Sequence, residues 1–258
     1  MTSASARRLF LDQYGRIRAA EGRGSNDADY FRSLPFVAAN APHAEQWAIR
    51  ARSFRYFVKN ILPSAPCRIL DLGAGNGWLS HRLAELGHAP VALDIFRDGR
   101  DGLDAARHYL SRFPVVEAEF DAIPVNSGNF DLAVFNASFH YSPDYARTLS
   151  EVRRVLRPGG RVVILDTPVY KLPEHGLRMR AERQQLFERQ FGFRSEALDS
   201  IEFMDEPMLT SLASSLRITW KIHRPWYGLA WHVRPLVAKM RKQRPPSRFW
   251  ILEGTFAA

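Results

Sequence analysis

Residues 67–77 read CRILDLGAGNG, an apolar run that breaks into glycines at alternate positions, Gly73, Gly75 and Gly77, with Ala74 and Asn76 between them. A helical pattern carrying Leu79, Leu83 and Leu86 follows directly, so the loop joins a strand to a helix. Three glycines let the backbone turn tightly and bring a ligand against bare main chain, where a Cβ would stand in the way. The spacing is GxGxG rather than GxGxxG, so it is not the fingerprint that presents a helix N-terminus to a pyrophosphate. Asp71, just ahead of the glycines, disfavours an anion and suits a cationic group. A ligand with an amino group and a sulfonium would match.

Outward from this loop, short apolar runs alternate with helical patterns. PVALDIF (90–96), VVEAEF (115–120), FDLAVFNAS (130–138) and RVVILDT (161–167) are the further strands, and Tyr145, Leu149, Val152 and Leu156 mark a helix ending at Pro158, Gly159 and Gly160. Continuous rather than alternating apolar strands imply a mostly parallel sheet covered on both faces, a Rossmann-like doubly wound α/β fold. After Asp166, residues 174–191 and 205–216 read as helices forming a cap region over 174–216. ITWKIH (218–223) and RFWILEG (248–254) then alternate with period two, as an antiparallel pair at one sheet edge. Residues 224–247 between them form a long basic connection, and loops of that size usually carry function. Upstream, Trp47, Ala51, Phe54, Val58 and Ile61 paint one face of a helix over 42–62, which Asn40 could cap and Pro63 stops. Phe10, Tyr14 and Ile17 give a weaker stripe. Residues 1–63 thus read as an N-terminal helical arm and 64–258 as the ligand-binding domain.

The chain has 258 residues, 46% hydrophobic and 24% charged, which excludes disordered and collagenous classes. Its one cysteine, Cys67, can form neither an internal disulfide nor a multi-thiolate metal site, and no apolar run approaches bilayer length. A cytoplasmic protein without a metal is expected. The net charge is +9, unevenly spread: residues 1–206 hold 27 basic and 26 acidic side chains, whereas 207–258 hold 9 basic ones and only Glu253. A neutral body therefore carries a basic end.

Asp94 lies 23 residues after Asp71 and closes the second strand, where a carboxylate can accept hydrogen bonds from both hydroxyls of a ribose. Asp121 is expected to close the third. These carboxylates would line one crevice at the carboxyl edge of the sheet. Here the residues resemble the class I S-adenosylmethionine-dependent methyltransferases, and more closely the type 11 group of small-molecule enzymes. The resemblance covers Cys67 to Asp166: LDLGAGNG, the LD at Asp94, FDAIP (120–124), FDLAVFNASFH (130–140) and EVRRVLRPGGRVVILD (151–166). It implies seven strands with the last antiparallel, and S-adenosylmethionine as cofactor with S-adenosylhomocysteine as product. By resemblance Gly73, Gly75 and Gly77 pack under the methionine part and Asp71 lies near its ammonium. Asp94 takes the ribose, Ile95 the adenine face, and Asp121 with the Ala122 main chain the adenine amino group. Asn136 would stand beside the reactive methyl. The arm would form a lid, with Tyr14, Trp47 and Arg52 as contacts.

Methyl transfer from a sulfonium is an in-line displacement that gains most from alignment and a dry pocket. A hydroxyl acceptor would benefit from a base, and His140 is the best placed, a structural histidine being the competing reading. Tyr141, Tyr170, Trp226, Tyr227 and Trp231 are weaker candidates for the acceptor pocket. The Asn/Asp-Pro-Pro-aromatic motif of base-methylating enzymes is absent after the fourth strand, and Cys67 precedes the first, so the cytosine C5 nucleophile is missing too. A small-molecule acceptor is expected, and nucleic acid is not. The basic, tryptophan-rich stretch 217–248 keeps open a peripheral membrane contact with a lipid, isoprenoid or anionic acceptor. A further alternative is a non-catalytic cofactor-binding scaffold. Oligomeric state is not legible.

Overall fold

Strand β1 (Arg68–Leu72) sends Ile69 to one face of the sheet and Leu70 and Leu72 to the other, all fully buried. It is the third strand across a seven-stranded sheet in the computed structural model, which describes residues 3–194 and 199–257. The strands are β2 (Ala89–Asp94), β3 (Val115–Glu117), β4 (Phe130–Asn136), β5 (Leu156–Leu165), β8 (Ile218–His223) and β9 (Ile251–Phe256), in the order β3-β2-β1-β4-β5-β9-β8. All neighbours are parallel except β9, which runs antiparallel to both β5 and β8. The expected mostly parallel sheet with an antiparallel last strand is therefore present. The order reverses between β1 and β4, which opens a crevice at their carboxyl ends.

Both faces are covered, as the continuous apolar strands require. On one, Ile69, Leu132, Val134 and Val163 meet α4 (Trp78–Glu85) through Leu79 and Leu83, α3 (Ala44–Asn60) through Phe54 and Phe57, and Phe31 of α2 (Ala28–Ser33). On the other, Leu70, Phe135, Val162 and Ile164 meet Leu149 and Val152 of α5 (Tyr145–Val155) and Leu209 and Leu212 of α7 (Glu206–Leu216). Helix α1 (Ser3–Ala20) lies across the carboxyl edge of β2 and β3. Arg7 pairs there with Glu117 at 3.1 Å and Glu119 at 3.5 Å, and Arg18 pairs with Asp101.

Several boundaries differ from the sequence reading. His43, not Asn40, is the N-cap of α3, in a left-handed conformation without a side-chain cap bond. Helix α5 ends at Val155, before the Arg-Pro-Gly-Gly turn, because Leu156 is already extended and pairs with Phe130 across a bulge. Asp121 lies four residues beyond β3, which is only three residues long. A small parallel pair, β6 (Val169–Tyr170) and β7 (Met204–Asp205), flanks α6 (Pro173–Phe191) and was not read from the sequence. Residues 195–198, inside the expected cap region, fall outside the described residues. The long connection contains a helix, α8 (Leu229–Met240).

Gly254 sits where β9 passes between β5 and β8, and a Cβ there would come within 2.7 Å of the Trp220 ring and 2.8 Å of Val162. Neighbouring Glu253 is buried and spent inside the protein, accepting from His223 Nε2 at 2.9 Å and pairing with Arg161. Burial alone would raise its pKa, but those partners hold the carboxyl below the usual range. Gly254→Ala is expected to cost about 1–3 kcal/mol through overpacking; the midpoint of guanidinium unfolding measures it.

Candidate functional site

The glycine loop spends its own amides. Gly73 N and Ala74 N both donate to Leu93 O, at 2.7 and 3.0 Å, Gly77 N donates to Ala74 O at 2.9 Å, and Gly75 N donates to Asp94 Oδ2 at 2.8 Å. Few loop donors remain for a phosphate, in keeping with the GxGxG spacing. Gly73 (φ 72°) passes so close to Ser138 that a Cβ would lie 2.3 Å from that residue's Cβ. Gly75 (φ 53°) has nothing within 3.9 Å of the corresponding point, so its bare face is open to the crevice.

Three connected cavities meet around Tyr14, Ala137 and Tyr141. The smallest, about 70 Å³, is lined by Asp71, the main chain of Gly73–Asn76, Asp101, Asn136, Arg18 and Arg50. Asp71 is fully buried; its Oδ2 accepts from Ser80 Oγ at 2.8 Å, while Oδ1 has no partner. Burial, reinforced by Asp94, pushes its pKa up to about 7. Arg18 is neutralised by Asp101, but among the described residues no carboxylate comes within ion-pair distance of Arg50. Burial and the nearby Arg18 lower the pKa of Arg50. A carboxyl oxygen without a partner and a guanidinium without a carboxylate, both lining one cavity, complement a group that is both cation and anion, such as the end of an amino acid.

The second cavity, about 110 Å³, is bounded by Gly73, Gly75, Asp94, Ile95, Glu119 and Asp121 and by the rings of Phe10, Tyr14, Phe96 and Phe120. Tyr14 stands edge-on to Phe96 at 5.1 Å and to Tyr141 at 6.0 Å. Asp94 accepts from Gly75 N and Phe96 N, one on each oxygen, which leaves a lone pair on each facing outward. Burial raises its pKa against those bonds. Asp121 lines the cavity from the loop and pairs with Arg147 at 2.9 Å; Ala122 is exposed beside it. A flat ring and a diol fit this space.

The third cavity, about 540 Å³, opens beyond Ala137 and Tyr141 and is walled by Ile17, Ile49, Phe187, Trp231, Phe249, His140 and Asp166, with Arg50, Arg183 and Arg234. Two of its edges are held in left-handed conformations, Ala137 at φ 55° and Asp166 at φ 51°, immediately after β4 and β5. Non-glycine residues persist there only when their surroundings demand it, and such strain gathers at functional sites. Asp166 accepts from Ser53 Oγ, which also lies 2.9 Å from the Tyr227 hydroxyl. Its Oδ2 is buried without a partner, and burial raises its pKa.

Sequence reasoning placed the glycine loop, Asp94, Ile95, Asn136, Tyr14, Tyr141 and His140 where the structure brings them together. Trp231, expected with Trp226 and Tyr227 as a wall of the acceptor pocket, lines the chamber; Arg18, Arg50 and Asp166 were missed as site residues. Arg52 points away and donates to Tyr227 O at 2.6 Å, and Trp47 packs on Trp78 in the core. The helical turn of α3 gives the cavity face to Gln46, Ile49 and Arg50. Tyr170, Trp226 and Tyr227 do not line this chamber: Tyr170 binds Arg244, Trp226 stacks on the surface against His232, and Tyr227 is buried against Ser53. His140 lines the chamber, but burial and the cations Arg183 and Arg50 lower its pKa to about 3. Its imidazole is neutral and a feeble proton acceptor, which argues against the base role. Among the described residues no cluster of His, Cys, Asp or Glu could hold a metal.

Residues 70–164 match the family profile described as a methyltransferase domain. The match runs from within β1 to within β5, and the sheet order is that of the Rossmann-like methyltransferase fold. It is similar to an uncharacterised methyltransferase of Mycobacterium bovis, 40% identical over 102 residues, 40% of each chain. It is also similar to the malonyl-[acyl-carrier protein] O-methyltransferase of Enterobacter lignolyticus, 30% identical over 161 residues, 62% of each chain. The matches thus span 40% and 62% of the length of these relatives. Among solved structures, the Burkholderia thailandensis 1,6-didemethyltoxoflavin N1-methyltransferase, crystallised with its acceptor and S-adenosylhomocysteine, shares the fold. The TM-score is 0.52 at 19% identity, covering 94% of this chain and 90% of that one.

Asp71 gives this site a stability signature. Its carboxyl is neutral in the folded chain up to about pH 7, whereas in the unfolded chain it ionises from its ordinary value of 3.8. Between those values the unfolded state binds fewer protons, so stability falls as pH rises, by at most about 1.4 kcal/mol per unit, and levels off above. Asp71→Asn keeps the Ser80 contact and removes the ionisation. It is expected to be more stable than the native chain at pH 8, by about 1–3 kcal/mol in denaturant titrations, and equally stable at pH 4.

Proposed function

We propose that this protein is an S-adenosylmethionine-dependent methyltransferase that methylates a small-molecule acceptor held in the 540 Å³ chamber. The observation that carries the reading is the pairing of Asp71 and Arg50 across one small cavity beside Asp94 and an aromatic slot. Together these complement the ammonium and carboxylate, the ribose diol and the flat base of one molecule. The orphaned Asp71 Oδ1 and the open face of Gly75 are what such a ligand would fill.

When bound, the cofactor supplies a methyl group on a positively charged sulfur. The chain supplies position, dryness and a home for a proton. Arg50 and Asp71 fix the amino-acid end and Asp94 the ribose, with Ile95, Phe96 and Phe120 about the base and Asp121 near its edge. Asn136 and Ala137, where β4 ends, stand at the passage between the donor cavities and the chamber. Helix α1 covers that passage with Phe10 and Tyr14, so residues 1–63 act partly as a lid that excludes water, which strengthens electrostatics inside. Where the acceptor carries a hydroxyl or amine, Asp166 takes its proton: the residue lines the chamber, its buried Oδ2 has no partner, and its raised pKa makes it a better base than an ordinary carboxylate. Ser53 and Tyr227 hold the carboxyl in place. The relatives' named acceptors, a malonyl thioester on a carrier protein and a toxoflavin precursor, are consistent with a small reacting group.

Two outcomes check this. In calorimetry S-adenosylmethionine and S-adenosylhomocysteine should bind and NAD should not, with Asp94→Ala and Arg50→Ala each weakening binding by about 1–3 kcal/mol, the loss of a charged hydrogen bond. With methyl-labelled cofactor and fractionated extract, label should enter a small metabolite. Asp166→Asn should slow that transfer by about 100-fold or more with cofactor affinity unchanged, whereas His140→Gln should stay within about threefold.

A further inference from the structure

Helix α8 touches the body on one narrow side, through Trp231, Arg234 and the buried Ala238. Much of its remaining surface is apolar: Leu229, Leu236 and Met240 are 71, 61 and 76% exposed, and Val233 and Val237, 40 and 38% exposed, form the edge of that surface toward the groove against α6. These fall at i, i+4, i+7, i+8 and i+11, one continuous stripe. A surface helix normally turns such a stripe to the core, so this one has the inverted polarity of a docking surface. Trp226, 63% exposed, precedes it.

Charge identifies what it meets. Residues 207–252 contain no aspartate or glutamate. Arg224 before the helix and Lys239, Arg241 and Lys242 at its end are exposed, and among the described residues no carboxylate pairs with any of them. Glu253, the one acid of the C-terminal fifth, is buried with His223 and Arg161 and cannot screen them. An apolar stripe flanked by free cations and tryptophan matches an interface rich in anionic lipid, with the stripe in the acyl boundary and the cations at headgroup level. A second copy of this chain is a poorer complement, because a two-fold contact through this face would bring Lys239, Arg241 and Lys242 toward their own like charges.

We infer that the outer face of α8, with Trp226 and its flanking cations, docks the protein on an anionic lipid bilayer as a peripheral, interfacial helix. The inner side of α8 walls a groove of about 780 Å³ against α6, which shares Pro168 and Arg234 with the acceptor chamber. If the methyltransferase reading holds, docking places that groove at the lipid surface; the docking itself does not depend on that reading.

The test is vesicle flotation of the whole chain at low salt. Native protein should float with phosphatidylcholine vesicles containing phosphatidylglycerol, at least about tenfold more than with phosphatidylcholine alone, and 1 M salt should reverse it. Leu236→Glu/Met240→Glu and Lys239→Glu/Arg241→Glu/Lys242→Glu should each reduce binding at least about tenfold. Native tryptophan fluorescence should shift to the blue on anionic vesicles and not in the Leu236→Glu/Met240→Glu variant. Native-like thermal melts and S-adenosylmethionine calorimetry in the variants exclude misfolding. No flotation with anionic vesicles, or flotation equal in the native protein and the apolar variant, overturns the inference. So does a dimer in sedimentation that the apolar variant splits without any vesicle binding. Failure of cofactor binding in every protein, with flotation as expected, would instead count against the methyltransferase reading alone.

Discussion

Asp71 lies at the carboxyl end of β1 with its side chain wholly inside the protein, at the point where the order of the parallel sheet reverses. An ionised carboxylate in that position is costly unless something positive reaches it. Ser80 satisfies one oxygen and nothing satisfies the other. The neighbouring geometry follows from that vacancy in the hydrogen bonding. The loop turns through Gly73 and Gly75 beside the small cavity that Asp71 lines, and its amides are tied to β2 rather than aimed into that cavity. The arm then brings arginines to the far side.

The same arm links the two halves of the site. Successive turns of α3 place Arg50 beside the small cavity and Ser53 on Asp166, while Arg52, two residues on from Arg50, is directed to the Tyr227 carbonyl on the outside. Displacement of this one helix would disturb the donor side and the chamber together. Strain at Ala137 and Asp166 marks the same boundary, where β4 and β5 hand over to the loops that shape the chamber.

Most of the donor side was legible because it sits on the sheet. Asp71, Asp94 and the glycines are fixed by strand ends and short turns, which local patterns describe well. Asp121 was misplaced because β3 is so short that the apolar run to Phe120 outlasts the strand. The acceptor side was not legible for a different reason: its walls come from α1, α3, α6 and the segments around α8, packed together by contacts far apart in the chain. Periodicity gave the buried stripe of α3 but could not tell Arg50 from Arg52, since both border it. Trp226 and Tyr227 failed as chamber residues because the long connection folds into a helix, which turns Trp231 inward and leaves Trp226 outside, and Tyr170 failed because β6 points its hydroxyl to Arg244. The basic end seen in the composition surrounds that helix; Arg244 and Arg248 are paired with Glu182 and Glu206, whereas among the described residues no carboxylate pairs with Lys239, Arg241 or Lys242.

The central claim is that one molecule spans the two small cavities, with its amino-acid end between Asp71 and Arg50 and its ribose on Asp94. A crystal structure with S-adenosylhomocysteine tests it most directly. The product's ammonium is expected beside Asp71, its carboxylate on Arg50, its ribose hydroxyls on Asp94 and its base between Ile95 and Phe120. Density for the product in the chamber or in the groove between α6 and α8, with the glycine loop empty, would contradict it.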